Sequence, residues 1–578
     1  MSDILLQFDF EKQTYQFQHP AKIWKTYKID EIEELIHQLE KAVDQGYYIA
    51  GYLAYEAAPA FDANYAVSPN ASIPLLWFAA FDQPIVGDTA DKETGYSLTD
   101  WNSATNYSTY REHINKIKEA IAAGNSYQVN YTTRLHADFT GNPYCLYQQL
   151  RDNQAASYCA FLDLEEFQIL SASPELFFRV ESGIITTKPM KGTRKRGNTS
   201  QEDELLKQEL LQSEKDRAEN RMIVDLLRND VGRIAKVGSV KVNKLFDVET
   251  YPTVHQMTST ITATLATNRM FDWFKALFPC GSITGAPKIE TMKLIEKLET
   301  EPRNIYCGAI GFITPERKAI FNVPIRTVLI DRQQATYGTG SGITWDSNID
   351  EEYDELYQKT KVLQPYTNYA LIETMRLDNG SYPLLPYHLA RLKQSCTYFA
   401  YRFNREEIQD KLTQLAQQYP NGQYKVRLIH QHQTNLSITE LPASDRQQLA
   451  VIAPYAINPD DRYLYHKTTN RGLYETVDRE KPEKTFTSLL WNTKEQATEF
   501  TTGNLVVEKE GRYYTPPVTD GLLPGTLREK LIDQDLLIEK SIALQELADY
   551  EKIWFINGLR GWIEIELTDE QTKQSPSI

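Results

Sequence analysis

"NIDEEYDELYQKTKVLQPY" (Asn348–Tyr366), followed almost at once by "YALIETMRLDNGSYPLLPYHLARLKQS" (Tyr369–Ser395), decides how the chain is divided. The first stretch has the acidic start and apolar periodicity of a helix. Pro365 stops it, because proline brings no N–H and clashes with the preceding turn. The second stretch begins afresh with a strand, an Asn379-Gly380 hairpin turn, a second strand and a helix. New hydrophobic patterning after a helix stop predicts a domain boundary near residue 368. A lesser seam, "VIAPYAINPDDRYLY" (Val451–Tyr465), carries Pro454 and Pro459. It reads as an extended connector between two lobes of the second half, about 369–455 and 460–572.

Working back from the boundary, "AIFNVPIRTVLIDRQQATYGTGSGITW" and "RIAKVGSVKVNKLFDVETY" alternate as strands do. "EDELLKQELLQSEKDRAENRMIVDLLRNDVGRIA" and "GAPKIETMKLIEKLE" have helical periodicity. The fold class expected for the first half is therefore α+β, a single large domain spanning residues 1–362. With 578 residues the chain exceeds what one core can serve. Its 62 Lys and Arg against 78 Asp and Glu leave a net charge of −16, which argues against nucleic acid or an anionic membrane as the main partner. The five cysteines form no CxxC pair, so neither a disulfide framework nor a zinc site is expected, and a reducing cytoplasm fits. No run of eighteen apolar residues occurs, and no secretory leader is apparent.

Four stretches of the first half carry chemistry. In "AENRMIVDLLRNDVGR" (Ala218–Arg233), Glu219 opens a helix whose Met222, Val224 and Leu227 face the core; alone, it reads as an exposed helix-start carboxylate favoured by the helix dipole. In "DEEYDELYQK" (Asp350–Lys359), Glu352 and Glu355 lie three apart and project from one face. Two carboxylates from separate helices suit Mg²⁺ when a substrate supplies further oxygens. "GSITGAPK" (Gly281–Lys288) is a turn entering a helix, with backbone N–H groups able to hold an anion or simply Pro287 at the first helical position. "TTKPMKGTRKRGN" (Thr186–Asn198) places Lys191 before a Gly192-Thr193 turn among other cations, where a solvated basic loop is the plain alternative.

Taken together and in this order, "SPELF", "PMKGTR", "AENRMIVDLLRNDVGR", "GSITGAPKIETM", "YCGAIGF" and "GSGITWDSNIDEEYDE" resemble the chorismate-utilising enzymes, which include anthranilate, aminodeoxychorismate, isochorismate and salicylate synthases. The resemblance is strong over residues 100–362. It implies a sandwich-type chorismate-binding domain with Glu219 and Glu355 as Mg²⁺ ligands and Glu352 as a nearby alternative. It also implies that Tyr306, Arg326, Gly192, Thr193 and the backbone of Gly340, Ser341 and Gly342 grip chorismate. His255 of "YPTVHQM" matches a histidine near the substrate ring. Anthranilate synthases carry a small residue at the Lys191 position, whereas aminodeoxychorismate synthases carry lysine. The resemblance thus implies that Lys191 attacks carbon 2 and that ammonia then enters at carbon 4. Glu175 of "SPELF" is the implied acid, which requires a carboxyl kept protonated near neutrality.

In the second half, "LYHKTTNRGLYE" (Leu464–Glu475) holds Lys467. "EQATEFTTGNLVVEKEGRYYTPPVTDGLLPGTLRE" (Glu495–Glu529) offers Glu499 and a Gly525-Thr526 helix start able to donate to a phosphate. This order resembles the fold-type IV pyridoxal-phosphate enzymes over residues 369–572, and "HKTTNR" and "NGLRGW" look most like the 4-amino-4-deoxychorismate lyase branch. The resemblance implies Lys467 as the cofactor-bearing lysine, Glu499 as partner of the pyridine nitrogen, and Arg391 and Thr526 as phosphate ligands, with backbone near Asn557 and Gly558 completing the cup. A synthase joined to a lyase would make 4-aminobenzoate, a folate precursor. No GxCxG-like elbow appears, so ammonia is expected from a separate glutamine amidotransferase subunit or from solution. A homodimer through the second domain is in keeping with that family. The rival readings are an anthranilate or isochorismate synthase fused to an aminotransferase, and a second half that only binds or dimerises.

Overall fold

The structure, a computed structural model, describes residues 4–87, 95–364, 369–431, 433–441 and 447–568. The expected boundary at Pro365–Asn368 lies outside the described residues. The chain forms two compact units. One comprises residues 1–195 and 207–366; the other comprises residues 196–206 and 367–578. The second unit therefore takes in eleven residues from the region expected to belong wholly to the first. The reason is local. The Arg196 guanidinium donates to the Tyr398 carbonyl at 2.9 Å and lies 4.5 Å from the centre of that residue's ring.

In the first unit, an eleven-stranded and a ten-stranded sheet pack face to face. Strands such as Leu5–Phe10 turn alternate residues inward, as the two-residue period of a strand requires. Phe8 and Phe17 of one sheet thereby meet Phe312 of the other, with ring centres 5.3 and 5.7 Å apart. Helices cover the outer faces: Ile32–Asp44 and Met270–Leu277 on one sheet, Pro143–Gln154 on the other. This is the expected α+β sandwich. Along the strand Gln334–Ile343, which pairs antiparallel with Gln128–Gly141, Gly338, Gly340 and Gly342 fall on one face. The helix Ile349–Thr360 follows, capped by the Asn348 side chain accepting from the Asp350 and Glu351 N–H groups.

In the second unit, the strands Leu371–Asp378, Gln423–His430 and Thr434–Glu440 form a small antiparallel sheet. The helices Leu385–Tyr398 and Arg405–Gln418 share its core. The Asn379-Gly380 turn forms, with φ of 45° and 76°, but the strand expected after it does not. Only Ser381 bridges back, to Asp378, and the helix begins at Leu385; the first strand pairs instead with Gln423–His430. The larger sheet has nine strands. Because Gln496–Phe500 pairs with both Thr487–Trp491 and Gly503–Lys509, six of those strands close into a barrel filled by Leu489, Phe500, Leu505, Val507 and Phe555. Closure removes open edges. The strand Gln447–Ile452 lies within this barrel, paired with Thr487–Trp491 and Gly561–Leu567, so the seam between lobes falls before Gln447 rather than at Val451–Tyr465.

Candidate active sites

The first site gathers around Lys191. Its strand, Met190–Lys195, shifts register against Val254–Thr264 between Met190 and Thr193, and Gly192 holds φ at 90°. Such a bulge re-aims the bulged side chain, and here it turns Lys191 toward Gly342. A β-carbon built on Gly342 would lie 2.2 Å from Gln128 Nε2 and 2.8 Å from Lys191 Nζ. At Gly338 it would strike the Tyr306 ring, and at Gly340 the Tyr131 carbonyl. The alternating glycines therefore reflect close approach by other groups.

Lys191 is half-buried. Desolvation lowers its pKa from the ordinary lysine value and Lys359 adds to that, against the pull of Glu219, Glu175 and Glu355. Glu175 is buried and accepts a hydrogen bond from the Ser282 hydroxyl at 2.6 Å. Burial raises its carboxyl to about 7, although the Ser282 bond and Lys191 lower it. The 281–288 turn thus holds a carboxylate of the chain itself. An amine that holds its proton less tightly than an ordinary lysine, beside a carboxyl that holds its proton more tightly, has the makings of a nucleophile paired with a proton donor.

Glu219 does not open its helix. Glu214–Gly232 starts five residues earlier, capped by Ser213, so Glu219 lies in the second turn, where burial raises its pKa despite Lys191. Glu355 is paired with Lys359 at 2.7 Å; burial opposes its ionisation, but Lys359 and Lys191 hold its pKa below the usual value. Lys359 also donates to the Gly340 carbonyl at 2.7 Å. Glu352 accepts from the Ser347 hydroxyl at 2.7 Å. Among the described residues no three His, Cys, Asp or Glu side chains converge as a ready-made metal cage. Glu219 and Glu355 nevertheless both act on Lys191, and one or two carboxylates with substrate oxygens are what Mg²⁺ takes. That donor set fits the ion.

His255, Thr193 and Arg326 each have partners of their own. His255 is buried, its Nδ1 3.1 Å from the Thr250 hydroxyl. The Thr193 hydroxyl donates to the Gln256 side-chain Oε1 at 3.0 Å, and Arg326 Nη1 to the Gln154 Oε1 at 3.1 Å. The Ser341 hydroxyl is buried without a hydrogen-bond partner. So are both polar atoms of Gln128, which sequence reasoning missed. Its one signal is a long polar side chain inside the strand run "QVNYTT", on the face of residues packed against the glycines.

In the second site, burial, then Arg391 and Arg471, lower the Lys467 ammonium to about 8. Glu499 is buried and accepts from the Tyr474 hydroxyl at 3.0 Å; burial raises it to about 7. Thr526 opens the helix Thr526–Asp533. A β-carbon on Gly558 would lie 2.7 Å from Thr526 Oγ1, so glycine lets the backbone close against a hydroxyl and a helix N-terminus, the makings of an anion cradle. Lysine, carboxylate and anion cradle fit pyridoxal phosphate. Two further residues escaped sequence reading. Glu373, on the strand Leu371–Asp378, accepts from Arg391 Nε at 2.9 Å and Nη2 at 2.6 Å, and lies 2.6 Å from His388 Nδ1. The forked face of Arg391 is therefore occupied by Glu373, and its Nη1 donates to the Pro524 carbonyl.

Residues 2–365 match the model of the chorismate binding enzyme family, and residues 370–567 that of amino-transferase class IV. The aminodeoxychorismate synthase component 1 of Salmonella typhimurium is 42% identical over 287 residues, covering 49% of this chain and 63% of that protein. The anthranilate synthase component 1 of Aquifex aeolicus is 38% identical over 277 residues, 48% of this chain and 56% of that protein. The chain thus spans roughly three fifths of the length of the curated relatives it matches. The crystal structure of anthranilate synthase component I from Streptococcus pneumoniae superposes with a TM-score of 0.53 at 26% identity, over 63% of this chain and 91% of that one. Among the described residues no helix is long and apolar enough to cross a membrane.

Proposed function

The chain belongs to the chorismate binding enzyme family, and from that premise we propose that its first unit aminates chorismate at carbon 4 while its second eliminates pyruvate from the product, giving 4-aminobenzoate. The observation that carries this reading is the Lys191 amine, turned by the bulge at Gly192 into a site shared with Glu175. The Lys191 lone pair adds at carbon 2, the ring double bond shifts, and the carbon 4 hydroxyl leaves as water with the proton of Glu175. Ammonia then adds at carbon 4, the double bond shifts back and Lys191 is expelled from carbon 2. Neutral Lys191 and protonated Glu175 are the starting forms this sequence needs. Mg²⁺, held by Glu219 and Glu355, would neutralise a substrate carboxylate. Arg326 and the N–H groups of Gly340–Gly342 supply the remaining donors to the dianion. The ammonia comes from a separate glutaminase component or from solution.

In the second unit, pyridoxal phosphate would act as an electron sink for the amine-bearing carbon. Lys467, with its lowered pKa, removes the proton from that carbon, and expulsion of pyruvate leaves an aromatic ring. Glu499 would partner the cofactor's pyridine nitrogen, and Thr526 with the remaining Arg391 N–H would help hold its phosphate.

The test is product analysis of the purified protein with chorismate, Mg²⁺, ammonium and pyridoxal phosphate, beside Lys191→Ala and Lys467→Ala. The expected outcome is 4-aminobenzoate and pyruvate from the parent, aminodeoxychorismate accumulating with Lys467→Ala, and no amination with Lys191→Ala. The 38% identity to an anthranilate synthase favours a second reading. Anthranilate as the parent's product would establish it and overturn the role of Lys191.

A further inference from the structure

The cradle at Gly558 has a second wall. His388 Nε2 lies 3.4 Å from Thr526 Oγ1 and 3.6 Å from where a β-carbon of Gly558 would stand. His388 is 3% exposed, and its other ring nitrogen lies 2.6 Å from Glu373 Oε2. Glu373 is ionised throughout the ordinary range, because Arg391 and His388 overcome the cost of its burial and hold it at about 2. An ionised acceptor fixes the proton on Nδ1, which leaves Nε2 of a neutral imidazole as a bare acceptor. In that state the Thr526 hydroxyl donates to His388 and not to the cradle.

Charge makes this arrangement incomplete for a phosphate. Arg391 and Glu373 cancel, and the arginine's forked face is already taken. A phosphate monoester dianion in a buried cup requires positive charge and donors. The groups facing His388 are Glu373 from the neighbouring strand, Arg391 from its own helix, Lys467 from the adjoining segment and the Thr526 hydroxyl from the last helix. The helix Thr526–Asp533 also carries Arg528, paired with Glu529 and Glu539, Asp533, which accepts from the Tyr387 hydroxyl, and Lys530 in its last turn. His388 can gain a proton on Nε2 without moving.

Resting on the reading that this unit takes pyridoxal phosphate, we infer that His388 is a phosphate-binding residue whose imidazole is protonated when the phosphate enters, with Glu373 as the residue that positions it. The imidazolium Nε2–H then donates to a phosphate oxygen, and the Thr526 hydroxyl is released to donate as well. Burial lowers the imidazole pKa in the unliganded cup, with Arg391 and Lys467 adding to that and Glu373 opposing, so the proton is taken up on binding.

The test is ¹⁵N NMR of histidine-labelled full-length protein near pH 7.5, with His388→Gln for assignment. The probe is pyridoxamine 5′-phosphate, which makes no covalent bond to Lys467; pyridoxamine lacking the phosphate is the control. The expected result is a neutral Nδ1–H imidazole that becomes imidazolium with the phosphorylated probe alone, also in Lys467→Ala. His388→Gln should weaken the phosphorylated probe by roughly 10- to 100-fold, the range of a charge-assisted hydrogen bond, and pyridoxamine little. Glu373→Gln should shift the unliganded ring away from the Nδ1–H tautomer. Tight binding with His388 still neutral overturns the inference alone. Failure of the parent to bind either pyridoxamine phosphate or pyridoxal phosphate overturns the cofactor reading and the inference with it.

Discussion

Gly342→Ala separates folding from chemistry at the first site. The new methyl would stand 2.2 Å from Gln128 Nε2 and 2.8 Å from Lys191 Nζ, both the far ends of flexible side chains. Gly342 is not among the glycines with left-handed φ, so its backbone accepts alanine. Both nitrogens can swing aside, at a folding cost of about 1 kcal/mol. Relieving the overlap moves Gln128 by more than ~1 Å, and Lys191 by nearly as much. A reacting atom misplaced by ~1 Å loses roughly 100-fold in rate, or about 2.7 kcal/mol of transition-state stabilisation. Gly340→Ala is the contrast: its methyl would lie 2.4 Å from the Tyr131 backbone carbonyl, which cannot yield, so it should cost ~1–3 kcal/mol of stability. The assay is the rate of aminodeoxychorismate formation at saturating chorismate, Mg²⁺ and ammonium, beside urea unfolding of each variant. Gly342→Ala should melt near the parent and turn over about a hundred times more slowly. Parental turnover by Gly342→Ala would refute the placement of the reacting amine against this strand.

Other outcomes follow from buried charge and metal dependence. Glu175 must be protonated to act, so amination should fall as pH rises through about 7; Glu175→Gln should lose ~10²–10⁴-fold and abolish that limb, as read by a pH–rate profile. Lys467 reacts as the free amine, so the rate of pyridoxal phosphate attachment, followed by absorbance, should rise with pH through about 8. Borohydride should fix the label at Lys467 and leave Lys467→Ala unlabelled. Glu56 is buried, with one oxygen unpartnered and the other accepting from the Arg303 N–H; burial raises it to about 7. Its folded state holds a proton more tightly than the unfolded chain, so stability is full below about pH 4.5 and falls by up to ~3 kcal/mol as pH rises through about 7. Glu56→Gln should therefore raise Tm at pH 8 and leave it little changed at pH 5. EDTA should stop amination while leaving turnover of supplied aminodeoxychorismate intact, and Glu355→Gln should weaken the Mg²⁺ dependence in a metal titration.

Sequence alone determined the α+β character, and it supplied the place where new patterning begins and the residue types of most candidate site groups. These are local properties: the helix stop near Pro365, the Asn379-Gly380 turn and the lysine in "PMKGTR" each carry their meaning within a few residues. It erred where pairing partners lie far along the chain. The strand expected after Gly380 is absent because Leu371–Asp378 finds its partner more than forty residues later, at Gln423–His430. The lobe seam moved because Gln447–Ile452 is held by strands from two distant regions. Glu219 looked like a helix opening because the preceding charges hid the Ser213 cap.

Only the tertiary structure decided the environments of the candidate groups. Nothing near Glu175 in sequence reveals that Ser282 meets it across 107 residues, or that burial keeps its proton. Gln128, Glu373 and His388 were passed over because an amide, a carboxylate or an imidazole acquires a role only from what surrounds it. Residue type sets which bonds a group can make. Desolvation and distance, which long-range packing supplies, set which of them it does make.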